Sequence, residues 1–358
     1  MHRCRLCLLL LAPLLALALP AAGQQARLEL SALGAYMMPN NFNMPEFNRG
    51  AAGVEFAWWR RTGGDEEWKQ RRAYPYFGLK GSFLYIVDGP SGHRFGLSPA
   101  LKAPLFGHRL FYSMALGASV YTKPYCLTHD PENIFIGPWV SFLIEFGLTY
   151  HLGDRLLLGA SLLHTSNGGL YRPNKGLNYL QFSLGYALTA GDGSDLRATP
   201  DRHAMPDGPR REVGFTLSHG LVMSRHLMQD GYFPCYDLAV NYMRYLTPVV
   251  AVGGNVDLWY NHSHTWQLPR YHDRYPLPVY LGLQGAVEGF WGPVSLRLGV
   301  GVVALASSRV GMRLYERMGL YYNWGRNYVG LGLNARAGMI EFVELGYGLR
   351  LPLGRHGR

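Results

Sequence analysis

His164, Ser166 and Asn178 are the residues of this 358-residue chain whose types and spacing suit a chemical step. A serine hydroxyl is a weak nucleophile until a neighbouring imidazole takes its proton. His164 and Ser166 stand two positions apart, which places both on one face of a β-strand. A third group must hold the ring in one tautomer. The Asn178 side-chain oxygen can accept from the second ring nitrogen, as in triads that use Asn in place of an acid. This is the chemistry of ester hydrolysis, and it needs neither a metal nor a cofactor.

Such a reaction also needs donors for the developing oxyanion. Asn167-Gly168-Gly169 lets the backbone take conformations closed to other residues, so that amide N–H groups can turn toward the site. Pro173-Asn174-Lys175-Gly176 reads as a turn that fixes the Asn174 amide nearby. Arg172 and Lys175 add positive charge for an anionic lipid headgroup. A His-x-Ser pair at a strand end is common, and its bland reading is two wetted interfacial side chains.

The element that carries the dyad decides between these readings. Leu156, Leu158, Ala160 and Leu162 run in phase with His164 and Ser166, so the dyad continues an apolar face. On the returning strand Leu180, Phe182, Leu184, Tyr186 and Leu188 share the phase of Asn178. Three polar residues therefore face lipid at one end of a hairpin, where polarity is costly and marks function by default.

Composition supports a membrane wall built of strands. Hydrophobic residues make up 48% of the chain and charged ones 16%, yet beyond residue 23 no stretch approaches the roughly 20 apolar residues of a membrane helix. From Arg27 to Leu351 the chain breaks into alternating segments of roughly 9 to 13 residues, the length of tilted membrane strands. Val140, Phe142, Ile144, Phe146, Leu148 and Tyr150 form one apolar face, for example, against Ser141, Leu143, Glu145, Gly147 and Thr149. The polar faces are mostly Gly, Ser, Ala and Asn, as a crowded lumen requires, whereas a solvated surface would carry many Lys and Glu. Aromatics near segment ends, such as Trp58-Trp59, Tyr74 with Tyr76, and Tyr321-Tyr322 with Trp324, suit interfacial girdles.

The expected fold is an all-β, transmembrane antiparallel β-barrel of the outer-membrane type with about sixteen strands. Half of them fall between Arg27 and Thr189 and half between Arg211 and Leu351. One barrel or two tandem eight-stranded barrels would satisfy this pattern. The second half shows no similarity to the first, which favours one barrel. Residues 1–23, with Arg3, Arg5, an apolar run from Leu6 to Leu19 and Ala21-Ala22-Gly23, read as a cleaved signal peptide. Residues 24–190 then form the half with the candidate hairpin, 191–210 a polar linker or loop, and 211–358 the second set of strands.

The string His164-Thr165-Ser166-Asn167-Gly168-Gly169-Leu170, followed by Arg172-Pro173-Asn174-Lys175-Gly176-Leu177-Asn178, resembles the signature of the PagL-type lipid A 3-O-deacylases, or acyloxyacyl hydrolases. The resemblance implies an eight-stranded barrel in the bacterial outer membrane, with its catalytic residues on the outer wall of the last two strands. It implies Ser166 as nucleophile and His164 as base, with the Gly168 amide and Asn174 side chain as oxyanion hole. Lipid A, the anchor of lipopolysaccharide, would be the substrate and outer-membrane lipid the surroundings. The best-known members carry Glu where this chain has Asn178. The motif does not reach Arg211 to Arg358.

Other signals are weaker. Setting aside the two arginines of the leader, 32 basic residues face 24 acidic ones, a charge of +8 that suits a phosphorylated glycolipid. Nucleic acid is not expected as a partner behind an export signal. Cys126 and Cys235 are too few for a disulfide scaffold and read as free or buried thiols. Asn261-His262-Ser263-His264 with His272 lacks a carboxylate or cysteine at ligand spacing and reads as solvated loop histidines. The rival from another class is a porin-like or structural barrel with an inert motif, in which Asn334, Arg336, Glu344 and Arg350 would line the lumen.

Overall fold

Period-2 alternation, with large apolar side chains on one face and small or polar ones on the other, produces sixteen strands in the computed structural model. It describes residues 26–39, 49–107, 109–188, 210–223, 231–264, 278–306, 313–336 and 339–353. The expected signal peptide of residues 1–23, nearly all of the polar stretch 191–210 and His272 lie outside them. The strands of the first half are β1 (Ala26–Pro39), β2 (Arg49–Arg61), β3 (Tyr76–Ile86), β4 (Arg94–Phe106), β5 (Leu110–Tyr121), β6 (Val140–Leu152), β7 (Leu156–Ser166) and β8 (Leu177–Ala187). Those of the second are β9 (Arg211–Met223), β10 (Tyr232–Thr247), β11 (Val250–Asn261), β12 (Val279–Trp291), β13 (Val294–Ala306), β14 (Leu314–Trp324), β15 (Asn327–Arg336) and β16 (Met339–Leu353). A short helix, α1 (Glu67–Arg71), interrupts the connection from β2 to β3.

Each half closes on itself. β8 pairs antiparallel with β1, Tyr186 opposite Leu30 and Asn178 opposite Met38. β16 pairs with β9, Tyr347 opposite Leu217. The molecule is therefore two closed eight-stranded barrels, and of the two arrangements compatible with sixteen strands the tandem pair forms. The single barrel, favoured on the absence of a sequence repeat, does not. Closure needs a matched pair of edges, and two unrelated sets of eight alternating strands meet that need as well as a duplicated one.

The large apolar side chains point outward on both barrels. Leu162, Phe182, Leu184, Leu217, Val300 and Leu345 are all more than half exposed, and such a belt is stable only against hydrocarbon. An eight-stranded barrel has an interior just wide enough for side chains, and here ion pairs cross it. In the first lumen Lys102 Nζ lies 2.8 Å from Glu29, which also accepts from Trp59 Nε1 at 2.8 Å. Lys80 bridges Glu55 and Glu145 at 3.0 and 2.9 Å. In the second, Arg350 reaches Glu212 and Glu288 at 2.7 and 2.6 Å, and Arg297 also binds Glu288. Of the four residues named for a conducting lumen, Glu344 pairs with Arg317, Arg336 lies 3.1 Å from Glu341, Arg350 is held as above, and Asn334 is fully buried. They pack the interior instead of lining a conduit.

Some aromatics differ from expectation. Tyr322 and Trp324 stand exposed at a strand end as a girdle requires, but Trp59 is buried and Tyr321 lies under Arg297 in the lumen. Adjacent residues of a strand face opposite ways, so only one of each neighbouring pair can join a girdle. The loop histidines also pack: His264 Nδ1 lies 2.6 Å from the Tyr280 hydroxyl, and His262 bonds Tyr260 and tilts over Phe233. Cys126 and Cys235 are both free thiols, Cys235 buried.

The barrels stand side by side in the same orientation. On both, the connections at the Ser166 end are mostly the longer ones, while several at the other end are tight turns at Gly153, Gly292 and Gly325, each at positive φ. Contacts join the barrels near each end. The Met223 amide donates to the Gly169 carbonyl at 2.9 Å at the loop end. At the turn end Arg72 donates to the carbonyls of Val249 at 2.6 Å and Phe290 at 3.2 Å, and lies over the Trp291 ring.

Candidate active site

Strand phase places the dyad where the spacing indicates. In β7 the odd positions enter the lumen, where the Thr165 hydroxyl meets Tyr121 at 2.6 Å and Tyr121 meets Tyr179 at 3.1 Å. The even positions Leu156, Leu158 and Leu162 are exposed, so His164 and Ser166 lie on the outer wall. Antiparallel register sets His164 directly opposite Asn178 of β8 and Ile144 of β6, and Ser166 opposite Phe142. The lumen bonds of Thr165 and Tyr179, each adjacent to a candidate residue, pin both strands against rotation.

His164 Nδ1 and Asn178 Oδ1 are 2.7 Å apart. An amide oxygen only accepts, so this contact assigns the ring proton to Nδ1 and leaves Nε2 with a lone pair. Nε2 is buried and has no hydrogen-bond partner among the described residues. Ser166 is buried too, and its hydroxyl makes no hydrogen bond to the ring in this structure. Catalytic hydrogen bonds often close only when substrate is bound. The structure thus brings His164 and Asn178 together and places Ser166 on the same face, two residues along.

The connecting loop is held by two asparagines. Asn167 Oδ1 accepts from the amides of Gly169 at 3.0 Å and Tyr171 at 3.3 Å, while its Nδ2 donates to the Tyr171 carbonyl at 3.0 Å. Gly168 and Gly169 then adopt φ of 70° and 83°, which a residue with a Cβ resists. A Cβ on Gly168 would also strike Val343 of the second barrel. Asn174 Oδ1 accepts from the Asn167 amide at 2.9 Å, leaving Nδ2 as its donor group. Lys175 is exposed and Arg172 half-buried on the same loop.

A third asparagine steadies this loop from outside. Asn133 Oδ1 accepts from the amides of Phe135 and Ile136, each at 3.1 Å, and its Nδ2 donates to the Lys123 carbonyl at 2.7 Å. The segment so fixed accepts from the amides of Lys175 and Gly176 through the carbonyls of Ile134 and Phe135. The side-chain role of Asn167 was readable, since Asn before Gly signals a turn that the Asn itself closes. Asn133 carries no such signal, because its contribution depends on a contact distant in sequence.

His164 and Asn178 also line a cleft of about 870 Å³ whose far wall is the second barrel, including Val287, Leu298, Val300 and Met318. Removing the hydrogen bond to the ring by Asn178→Leu should lower the rate constant for ester hydrolysis on the order of 10²-fold, because the imidazole loses the partner that selects its tautomer. Single-turnover kinetics on a detergent-solubilised ester substrate would read this, and a loss under threefold would remove Asn178 from the site.

Two closed barrels of the outer-membrane type, one bearing a histidine–asparagine pair and a serine on its lipid-facing wall, make up the described chain. Two family models match the chain: "Lipid A 3-O-deacylase (PagL)" over residues 50–187 and "Acyloxyacyl hydrolase, C-terminal domain" over residues 211–353. The chain belongs to the lipid A 3-O-deacylase (PagL) family and is an ester hydrolase. The second match covers the half that the motif does not reach. No curated protein matches the chain. Among solved structures, the outer membrane enzyme PagL is 15% identical over 45% of this chain and 99% of its own, with a TM-score of 0.33. A mutant Rh. blastica porin is 11% identical over 91% of this chain and 100% of its own, with a TM-score of 0.23.

Proposed function

We propose that this outer-membrane lipid A deacylase removes the 3-O-linked hydroxyacyl chain, using Ser166 as nucleophile, His164 as base and Asn178 as orienting group. The observation that carries the reading is the 2.7 Å contact between His164 Nδ1 and Asn178 on the lipid-facing wall. It leaves Nε2 as the ring atom able to take a proton.

In the first half-reaction Ser166 Oγ attacks the ester carbonyl and its proton passes to His164 Nε2. The carbonyl oxygen becomes an oxyanion, stabilised by the Gly168 amide and Asn174 Nδ2. Collapse breaks the bond to the sugar oxygen, which leaves with the proton from His164 as a free hydroxyl. Water then loses a proton to the same nitrogen and attacks the acyl-serine. Breakdown releases the hydroxy fatty acid and returns the proton to Ser166. Arg172 and Lys175, at the headgroup level, are placed to attract the phosphates of lipid A. Asn178 holds the imidazolium by a hydrogen bond alone, without the charge a carboxylate would supply.

Tandem mass spectrometry of lipid A from cells expressing the protein tests the position cut. The expected spectrum lacks one 3-hydroxyacyl chain at the glucosamine 3-oxygen. Loss of a secondary acyl chain, with both primary esters intact, would overturn the assignment.

A further inference from the structure

The cleft beside His164 has a shape that the candidate residues alone do not explain. The barrels touch near both ends, through Gly169 and Met223 above and Arg72, Val249 and Phe290 below. Between these contacts their outer walls stand apart. The 870 Å³ cleft begins where His164 and Asn178 face Val300 and Glu316, and passes down between Leu162 and Leu298. It continues into a second space of about 660 Å³ between Leu148 and Leu296, closed below by Trp291. Trp291 Nε1 in turn donates to the Tyr112 hydroxyl across the gap at 3.2 Å. From Val300 to Val294 β13 descends roughly 15 Å at the usual rise and tilt of a membrane strand, a depth suited to a long acyl chain.

We infer that the second barrel supplies one wall of the acyl-chain site, and that Val300, Met318 and Leu298 set which chain lengths are cut. The inference rests on the reading of Ser166 and His164 as the esterase site. Several observations fix the occupant. The slot is almost wholly apolar, its upper wall carries the candidate base, and the polar contacts at top and bottom keep the walls from collapsing together. Glu316 lies in register with Val300 and opens the slot at the depth of His164. There a carboxylate can accept from a sugar hydroxyl or amide while the chain descends below it. Docking a chain in a fixed slot delivers the ester carbonyl to the dyad at one depth, and the entropy of a mobile acyl chain is lost on binding instead of at the reaction step.

The test compares kcat/KM for lipid A with that for p-nitrophenyl acetate, whose acyl group is too short to fill the slot, in the full-length protein and two variants. Val300→Trp fills the slot and should lower the lipid-to-acetate ratio at least tenfold. Met318→Ala widens it and should move the preferred acyl length upward in a series of synthetic esters. Should Val300→Trp depress both substrates alike, Met318→Ala decides, since truncation of an outward-facing methionine leaves the barrel its lumen packing. An unchanged ratio in the first variant together with an unchanged length preference in the second overturns the inference. Ser166→Ala in the same assay separates the two levels. If it hydrolyses both substrates at the wild-type rate the esterase reading itself fails, whereas if it is inactive while the slot variants behave as wild type only the slot assignment fails.

Discussion

Ser166→Ala is expected to lower lipid A deacylation on the order of 10⁴-fold or more, because it removes the hydroxyl proposed to form the acyl-enzyme. His164→Ala should fall to the same floor. The double variant should add little to either, since a nucleophile and its base act as one unit. Neither change should unfold the barrel. Ser166 makes no hydrogen bond to the ring, and alanine suits the same strand position, so stability should shift within about 0.5 kcal/mol. Initial rates on purified lipid A, with fatty-acid release quantified by mass spectrometry, give the first quantity, and urea midpoints give the second. Retention of more than a tenth of the wild-type rate in Ser166→Ala would show that Ser166 is not the nucleophile.

The largest effect on stability is expected from Arg317→Ala in the second lumen. One guanidinium joins three strands there. Nη1 lies 2.8 Å from both Asp237 on β10 and Asp257 on β11, and Nη2 binds Glu344 on β16. Tyr315 also donates to Asp257 at 2.6 Å. Removing the cation leaves three carboxylates facing one another inside a closed barrel. Breaking a buried pair in this way costs about 3–5 kcal/mol, since the remaining charge has lost its partner and is out of reach of water. The urea midpoint of the detergent-solubilised protein should fall accordingly. A variant that also carries Asp237→Asn, Asp257→Asn and Glu344→Gln should recover much of the loss, because it removes the stranded charges along with the cation. A loss below about 1 kcal/mol in Arg317→Ala alone would show that water or protonation relieves the lumen more readily than its packing implies.

The outer wall of this protein was legible in its sequence, and the inside was much less so. Period 2 is a local property, so the lipid-facing phase of Leu162, His164 and Ser166 follows from a few neighbouring residues, as does the partnership of His164 with Asn178 across a hairpin. Closure is not local. The edges that meet in the first barrel, Leu30 against Tyr186, are separated by nearly the whole half-chain, and both carry the same alternation as every other strand. Nothing in that pattern distinguishes an eight-strand closure from a sixteen-strand one. Lumen pairing is equally remote. Arg317 could be read as inward-facing, but its three carboxylates lie on strands whose order around the barrel is set by closure. The loop belongs to an intermediate case, since Asn167 announces its turn while Asn133 acts through a contact that only the folded chain makes.

The second barrel bears on a site whose candidate catalytic residues all lie on the first. Gly168 at φ 70° lies against Val343, and the neighbouring Gly169 carbonyl accepts from Met223, so the loop offered as oxyanion hole is pressed between the two barrels. A barrel whose own lumen is filled by ion pairs therefore contributes through its outer surface.

Covalent labelling tests most directly whether Ser166 is a nucleophile activated by His164 on the hydrocarbon side of β7. A long-chain alkyl fluorophosphonate presented in mixed micelles should form one adduct, located by peptide mass spectrometry on Ser166 and lost in both Ser166→Ala and His164→Ala. Labelling of a different residue, or undiminished labelling of Ser166 in His164→Ala, would contradict it.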